Sequence, residues 1–276
     1  MAVTNFIPQL WSGALLAHLD KAHVVANLVN RNYEGEIRQF GDTVKISQIG
    51  AITVNDYTEN SDLDDPEDLN TTQKILTIDK QKYFNFQIDD VDAAQVRTPL
   101  MDAAMQRAAY ALAEETEKII LTAIDTDATN KIVPEATLDA TNIYKEIVGV
   151  KVKMDKANVP MVGRWLIVSP DTHALLLQDN RFTATGGTMA ENIVQNGFVG
   201  KILGFDVYLS NNLDSLTNGN AAIAGVNSAV TFAEQIVQTE AYRMEKRFAD
   251  AVKGLNVFGV KVIYPDALVC LKKTNP

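Results

Sequence analysis

Three features of the sequence predict a mixed α+β fold. The stretch from Pro99 to Ile124 is alanine-rich with apolar residues at helical spacing. Lys74 to Ile88 alternates with the two-residue period of a strand, and Val257 to Ile263 and Ala267 to Leu271 are short strand-like runs near the C-terminus. With 276 residues, 46% of them hydrophobic, the chain can form one or two domains around a buried core, which excludes disordered and collagen-like classes.

From Phe6 to Asn30 the apolar residues Leu15, Leu16, Leu19, Val24, Val25 and Leu28 recur at three- and four-residue steps, predicting one or two short amphipathic helices in an N-terminal arm. Gly41-Asp42 then leads into the β-branched run Thr43 to Ile49, followed by Ile52-Thr53-Val54. In the second strand run Leu76, Ile78, Lys80, Lys82, Phe84, Phe86 and Ile88 share one face, opposite Asp79, Gln81, Asn85 and Gln87. Between the two runs lies a polar tip with five acids, Asp62, Asp64, Asp65, Glu67 and Asp68, around Pro66. The whole reads as a long two-armed β excursion.

Thr98-Pro99 supplies an N-cap and a first-turn proline, and Asp102 suits the positive end of the helix dipole. The helix predicted to Ile124 would be about 39 Å long at 1.5 Å per residue. A second helix, Asn142 to Ala157, places Ile143, Ile147, Val150 and Met154 on one face, and Val159-Pro160 ends it. Arg164 to Val168 reads as a buried strand, Ser169-Pro170 as the start of a helix through Gln178, and Val199 to Leu209 as two strands around a glycine turn.

Charge and composition narrow the function. Thirty-five acids against 25 Lys and Arg leave a net charge of -10, the wrong sign for a general nucleic-acid groove. The first lysine is Lys21, so no basic segment opens a secretory signal, and charged or amide residues interrupt every apolar run before it reaches the ~18 residues of a membrane helix. The expectation is a soluble protein without membrane contact. The single cysteine, Cys270, lies in a strand-like apolar run and reads as core.

Catalytic readings fail one by one. Ser169, Asp171 and His173 are too close in sequence to converge as triad members do, and N-capping by Ser169 explains its position without chemistry. His18 and His23 stand about 140° apart on a helix, off a common metal-binding face. The acidic tip has Glu67 where a calcium loop needs glycine, and Gly197 to Lys201 lacks the first glycine and the hydroxyl residue of a phosphate loop. No catalytic, metal or cofactor site is expected. A two-stranded excursion is marginal on its own in water, so this one is expected to fold back on its domain or lie on a neighbouring chain. Self-association is the physical inference. Lys80 and Lys82, on the apolar face, are candidates for meeting acid on another subunit, with the tip acids 62, 64, 65, 67 and 68 and Trp11 of the arm as further candidate contacts.

The order of these segments resembles the major capsid proteins of tailed bacteriophages, with the Hong Kong phage capsid fold. The likeness runs from about Phe6 to Leu271. It comprises the arm ending near Asn32-Tyr33, the Gly41-Asp42-Thr43-Val44-Lys45-Ile46 opening of an extended loop, the alanine-rich helix, Arg164 to Pro170, the Gly204 to Asn212 hairpin, and Phe248 to Leu268. The resemblance implies an N-terminal arm (1–33), an extended loop (34–90) and a peripheral domain with a long spine helix (91–160). An axial domain (161–232) and returning peripheral strands (233–276) would follow. It further implies pentamers and hexamers in an icosahedral shell around double-stranded DNA, assembled in the host cytoplasm. About 40 residues precede the extended loop, too few for the fused scaffolding segment of some relatives, so a separate scaffolding protein and a portal are implied. Some relatives join a loop lysine covalently to a neighbour's asparagine. Here the tip has no lysine, and Lys74, Lys80 and Lys82 lie on its stem. An encapsulin-type shell enclosing enzymes is the alternative of the same fold, and a soluble hydrolase using Ser169 or His173 is the alternative from another class.

Overall fold

The computed structural model describes residues 23–34, 40–49, 71–89, 100–179, 198–214, 219–245 and 249–273, with the separate positions 52–54, 56, 59, 68 and 216. Its strands are β1 (Thr43–Ile49), β2 (Thr71–Thr77), β3 (Lys80–Asp89), β4 (Asn130–Ile132), β5 (Arg164–Val168), β6 (Phe198–Ile202), β7 (Phe205–Leu209), β8 (Asn220–Val226), β9 (Val230–Arg243), β10 (Ala249–Val262) and β11 (Val269–Lys272). The helices are α1 (Leu100–Asp127), α2 (Ile143–Lys156) and α3 (Pro170–Gln178). The strands form a β1-β2 ribbon, a three-stranded sheet ordered β3-β10-β9, and a six-stranded sheet ordered β4-β11-β8-β5-β7-β6.

The alternation between Lys74 and Ile88 spans two strands rather than one. Ile78 closes the ribbon through backbone bonds with Gly41 and Asp42, and after Asp79 the chain enters the three-stranded sheet, where β3 pairs with β10. The residues expected on one ribbon face therefore divide. Leu76 and Ile78 join Val44, Ile46, Ala233, Val257 and Ile263 in one cluster, whereas Phe84 and Phe86 pack with Val252 beneath Met105, Ala109, Leu112 and Ala113 of α1. The base of the ribbon thus covers one face of the three-stranded sheet and α1 covers the other. Gly259 marks the crossing: a Cβ there would stand 2.3 Å from the Thr77 carbonyl oxygen. The backbones meet where no side chain fits.

α1 is 28 residues long, about 42 Å, and changes partners along its length. Its first half lies on β3 and β10, and Ile120, Leu121 and Ile124 enter the main core with α2 and the six-stranded sheet. The expected apolar face of α2 is the buried one, Ile143, Ile147, Val150 and Met154. β11 pairs with β4 and β8 in the six-stranded sheet rather than returning with β10, and α2 packs on β11, so both belong with β5 to β8. β8 and β11 supply the central, wholly buried strands that an apolar sheet needs.

Arg164 clamps the turn between α2 and β5. It is 3% exposed, and its guanidinium donates to Asp155 (2.6 Å), the Val159 carbonyl (2.6 Å) and the Pro160 carbonyl (2.9 Å). Hydrogen bonds from Lys151 and from Arg164 hold the Asp155 carboxyl below its ordinary pKa. Replacing Arg164 with methionine keeps the apolar stem but leaves two carbonyls without this donor, and is expected to lower stability by about 1–2 kcal/mol in urea unfolding. An unchanged midpoint would show that water replaces the clamp.

Candidate assembly surfaces

The predicted amphipathic helix does not extend over the described part of the arm. From His23 to Asn30 the chain makes a single 3-10 turn, Ala26–Leu28, and Asn30 bridges to Thr231 of β9. The reason lies in α1. Glu117 is 4% exposed; its Oε1 accepts from the backbone N–H groups of Val24 and Val25 (2.7 Å for Val25), and its Oε2 accepts from Asn212 Nδ2 at 3.1 Å. Those donors are fixed by a carboxylate and open a tight turn there. Beside it the buried His23 Nε2 stands 3.1 Å from Glu234, which also accepts from Asn256 Nδ2 at 2.5 Å. Burial pushes the Glu117 carboxyl above its ordinary pKa, against the opposing bonds from Val24, Val25 and Asn212 and the charge of His23. This cluster ties the arm's root to the long helix, to β9 and β10, and to the turn after β7. Of these five polar residues, Glu117, Glu234 and Asn256 were not singled out from the sequence, His23 was weighed only as a metal ligand and Asn212 only as a hairpin end.

A second buried tie closes the far end of α1. Asp125 accepts from Lys272 and, at 3.0 Å, from Asn220. Burial raises the Asp125 pKa, but the bonds from Lys272 and Asn220 outweigh it and the net shift is downward. Cys270, next to Lys272 in β11, is fully buried and its thiol is pushed up to about 12, chiefly by burial. It is a core residue, as the sequence predicts.

Lys80 and Lys82 do not stand on the ribbon. They lie in β3, and Lys82 meets Glu115 of α1 at 3.1 Å while Lys80 pairs with its neighbour Asp79 at 2.9 Å. Bonding to Lys82, against a smaller burial effect, lowers the Glu115 pKa. The acid facing Lys82 is therefore in its own subunit. Trp11, Asp62, Asp64, Asp65 and Glu67 fall outside the described residues, and Asp68 is exposed.

The three triad candidates do not converge. Ser169 caps α3, its Oγ accepting from the Thr172 N–H at 3.3 Å, Asp171 pairs with Lys273 at 3.2 Å, and burial depresses the His173 pKa. Lys201 of the phosphate-loop-like run pairs with Asp206 across the β6-β7 hairpin at 2.9 Å. Among the described residues no cluster of His, Cys, Asp and Glu could hold a metal, and no helix is long and apolar enough to cross a membrane.

Several apolar side chains among the described residues are exposed. Ile75 on the exposed face of β2 is 48% accessible, and Ile52 and Val54 further along the excursion are 66% and 91% accessible. On the three-stranded sheet, beyond the reach of the ribbon, Tyr83 and Tyr242 flank Lys253, whose Nζ lies 5.5 Å from the Tyr242 ring centroid.

A family model described as phage capsid protein matches residues 72–271. Among solved structures, one named Mycobacterium phage Che8 is 30% identical, with a TM-score of 0.73 and 90% of each chain covered. The capsid of cyanophage P-SCSP1u aligns at 16% identity and a TM-score of 0.69, over 94% of this chain and 88% of that one. A virus-like particle from Pyrococcus furiosus aligns at 13% identity and a TM-score of 0.63, over 96% and 99% of the two chains, a likeness of fold. No curated protein sequence matches. With the family model matched over residues 72–271, well over half of the chain, and a phage structure 30% identical over 90% of it, the chain belongs to the phage capsid protein family, as a major capsid protein of the tailed-phage kind.

Proposed function

We propose that this subunit forms pentamers and hexamers that close into an icosahedral shell around double-stranded DNA, with a separate scaffolding protein and a portal as partners in the host cytoplasm. The observation that carries the reading is the ribbon. Its inward face is buried on its own sheet, while Ile75, Ile52 and Val54 are exposed among the described residues and available to another chain. In this reading the six-stranded sheet with α2 and α3 is the axial unit, and α1 with the three-stranded sheet is the peripheral unit. Lys80 and Lys82, 44% and 40% exposed beside their acids, the tip acids 62–68 and Trp11 then serve as edge contacts between subunits.

A subunit of charge -10 repels its copies, and screening acts within about 8 Å at physiological salt, so association should strengthen as salt is raised. Static light scattering of purified subunit, alone and with its scaffolding protein, is expected to report capsomers or shells. A monomer at every concentration and salt would overturn the reading.

A further inference from the structure

A groove of about 820 Å³ runs between α2 and β4, on the side of α2 away from its buried face. Lys145, Lys153 and Lys156 line it, together with Val148, Gly149 and Val152 of α2 and Asn130 and Ile132 of β4. At 100° per residue these α2 positions form one stripe. None of the three lysines has an ion-pair partner among the described residues, whereas the neighbouring Lys151 is taken by Asp155 at 2.7 Å. In a chain with ten more acids than bases, three lysines around one concavity with no ion-pair partner among the described residues call for a negative occupant. β4 is the edge strand of its sheet, so an extended segment finds an open strand edge beside the lysines.

The floor of the groove carries a second observation. Gly149 sits in the middle of α2, where glycine costs about 1 kcal/mol relative to alanine. A Cβ there would meet nothing closer than Ile132 Cδ1 at 3.9 Å, so packing within the subunit does not require glycine. What glycine does is leave the floor empty.

We infer that the α2-β4 groove is a docking site for the acidic run Asp62 to Asp68 of a second copy of this chain. The inference rests on the shell reading for its occasion, but not for its chemistry. The run holds five acids and no base, and it is the densest negative stretch of the sequence. Lys145 to Lys156 span about 17 Å along the helix, and six residue steps of extended chain span about 20 Å, so the cations and the carboxylates match in length. Duplex DNA is disfavoured as occupant. A duplex backbone needs a broad basic surface rather than three lysines in a cleft of this size; Asp266, which also lines the groove, opposes any anion there and is outnumbered by the lysines.

The test is fluorescence anisotropy with a labelled peptide of residues 57–70. It is titrated with full-length subunit whose five tip acids are replaced by their amides, so that its groove is not occupied by a neighbour. Saturable binding is expected, weakened about tenfold or more by Lys145→Gln/Lys153→Gln/Lys156→Gln, in line with loss of close charge pairs. Gly149→Leu keeps every charge but fills the floor, and is expected to abolish binding. Circular dichroism establishes that each variant is folded. A Lys145→Glu/Lys153→Glu/Lys156→Glu subunit should instead bind a peptide carrying lysine at the five acidic positions. Absence of peptide binding, binding unaffected by Gly149→Leu, or displacement of the peptide by a stoichiometric DNA duplex would each overturn the inference. Shells that form without peptide binding would refute the groove alone, whereas peptide binding by a subunit that never assembles would refute the shell reading alone.

Discussion

Glu117→Ala is expected to lower subunit stability by roughly 3–5 kcal/mol, because it leaves the N–H groups of Val24 and Val25 and the Asn212 amide without their acceptor and opens space beneath the arm's root. Glu117→Gln retains an acceptor for the backbone donors and should cost far less. The two variants also differ from the wild type in pH dependence. The folded-state pKa of Glu117 lies above its ordinary value of 4.5, so the folded chain holds the proton longer than the unfolded chain does. The contribution of this group is therefore fully present below 4.5 and falls as pH rises through the folded pKa. Relative to wild type, Glu117→Gln should gain ground as pH rises through that window. Urea unfolding across the range measures the difference, and a constant offset would show that Glu117 titrates as an ordinary glutamate. Hydrogen exchange over residues 23–30 should accelerate in Glu117→Ala and not in the amide variant.

The second large effect is expected at Gly259. Alanine there brings a methyl group to 2.3 Å from the Thr77 carbonyl oxygen and 2.9 Å from Ile78 Cδ1, so either β2 or β10 must move. The cluster of Val44, Ile46, Leu76 and Ile78 is separate from the main core, and displacement of the ribbon costs roughly 2–3 kcal/mol while the six-stranded sheet stays intact. Hydrogen exchange should therefore rise in residues 71–77 and stay unchanged in β5 and β8. Protection of the ribbon equal to wild type would show that the crossing has room that its geometry denies. Because the ribbon's outer face carries Ile75, its displacement should also impair assembly.

What was legible in the sequence follows from the range of the interactions. The long helix and α2 are written in local periodicity and α3 in its Ser169 cap, while the Thr98-Pro99 cap expected for the long helix lies outside the described residues; Ile143, Ile147, Val150 and Met154 are buried as their spacing predicts. β8 was not legible, because Asn220-Ala-Ala-Ile-Ala-Gly-Val has low strand propensity. Its small residues make room for large neighbours: a Cβ on Gly225 would meet the Trp165 ring at 2.6 Å. The break between β2 and β3 was hidden because the two-residue alternation keeps its parity through Ile78, Asp79 and Lys80 while the partner strands change. The placement of β11 depends on Asn130 and Ala224, far away in sequence. For the polar cluster a signal did exist. Glu117 lies four residues after Ala113, three before Ile120 and seven before Ile124, on the buried face of α1, where a charge calls for partners.

The central claim is that this chain is built to be completed by its own copies, and cryo-electron microscopy of purified assemblies tests it most directly. The account predicts closed shells with both five-fold and six-fold capsomers, the six-stranded unit nearest those axes, and Ile52, Val54 and Ile75 covered by adjacent subunits. Assemblies without five-fold and six-fold capsomers, or shells in which those three side chains remain in solvent, would contradict it.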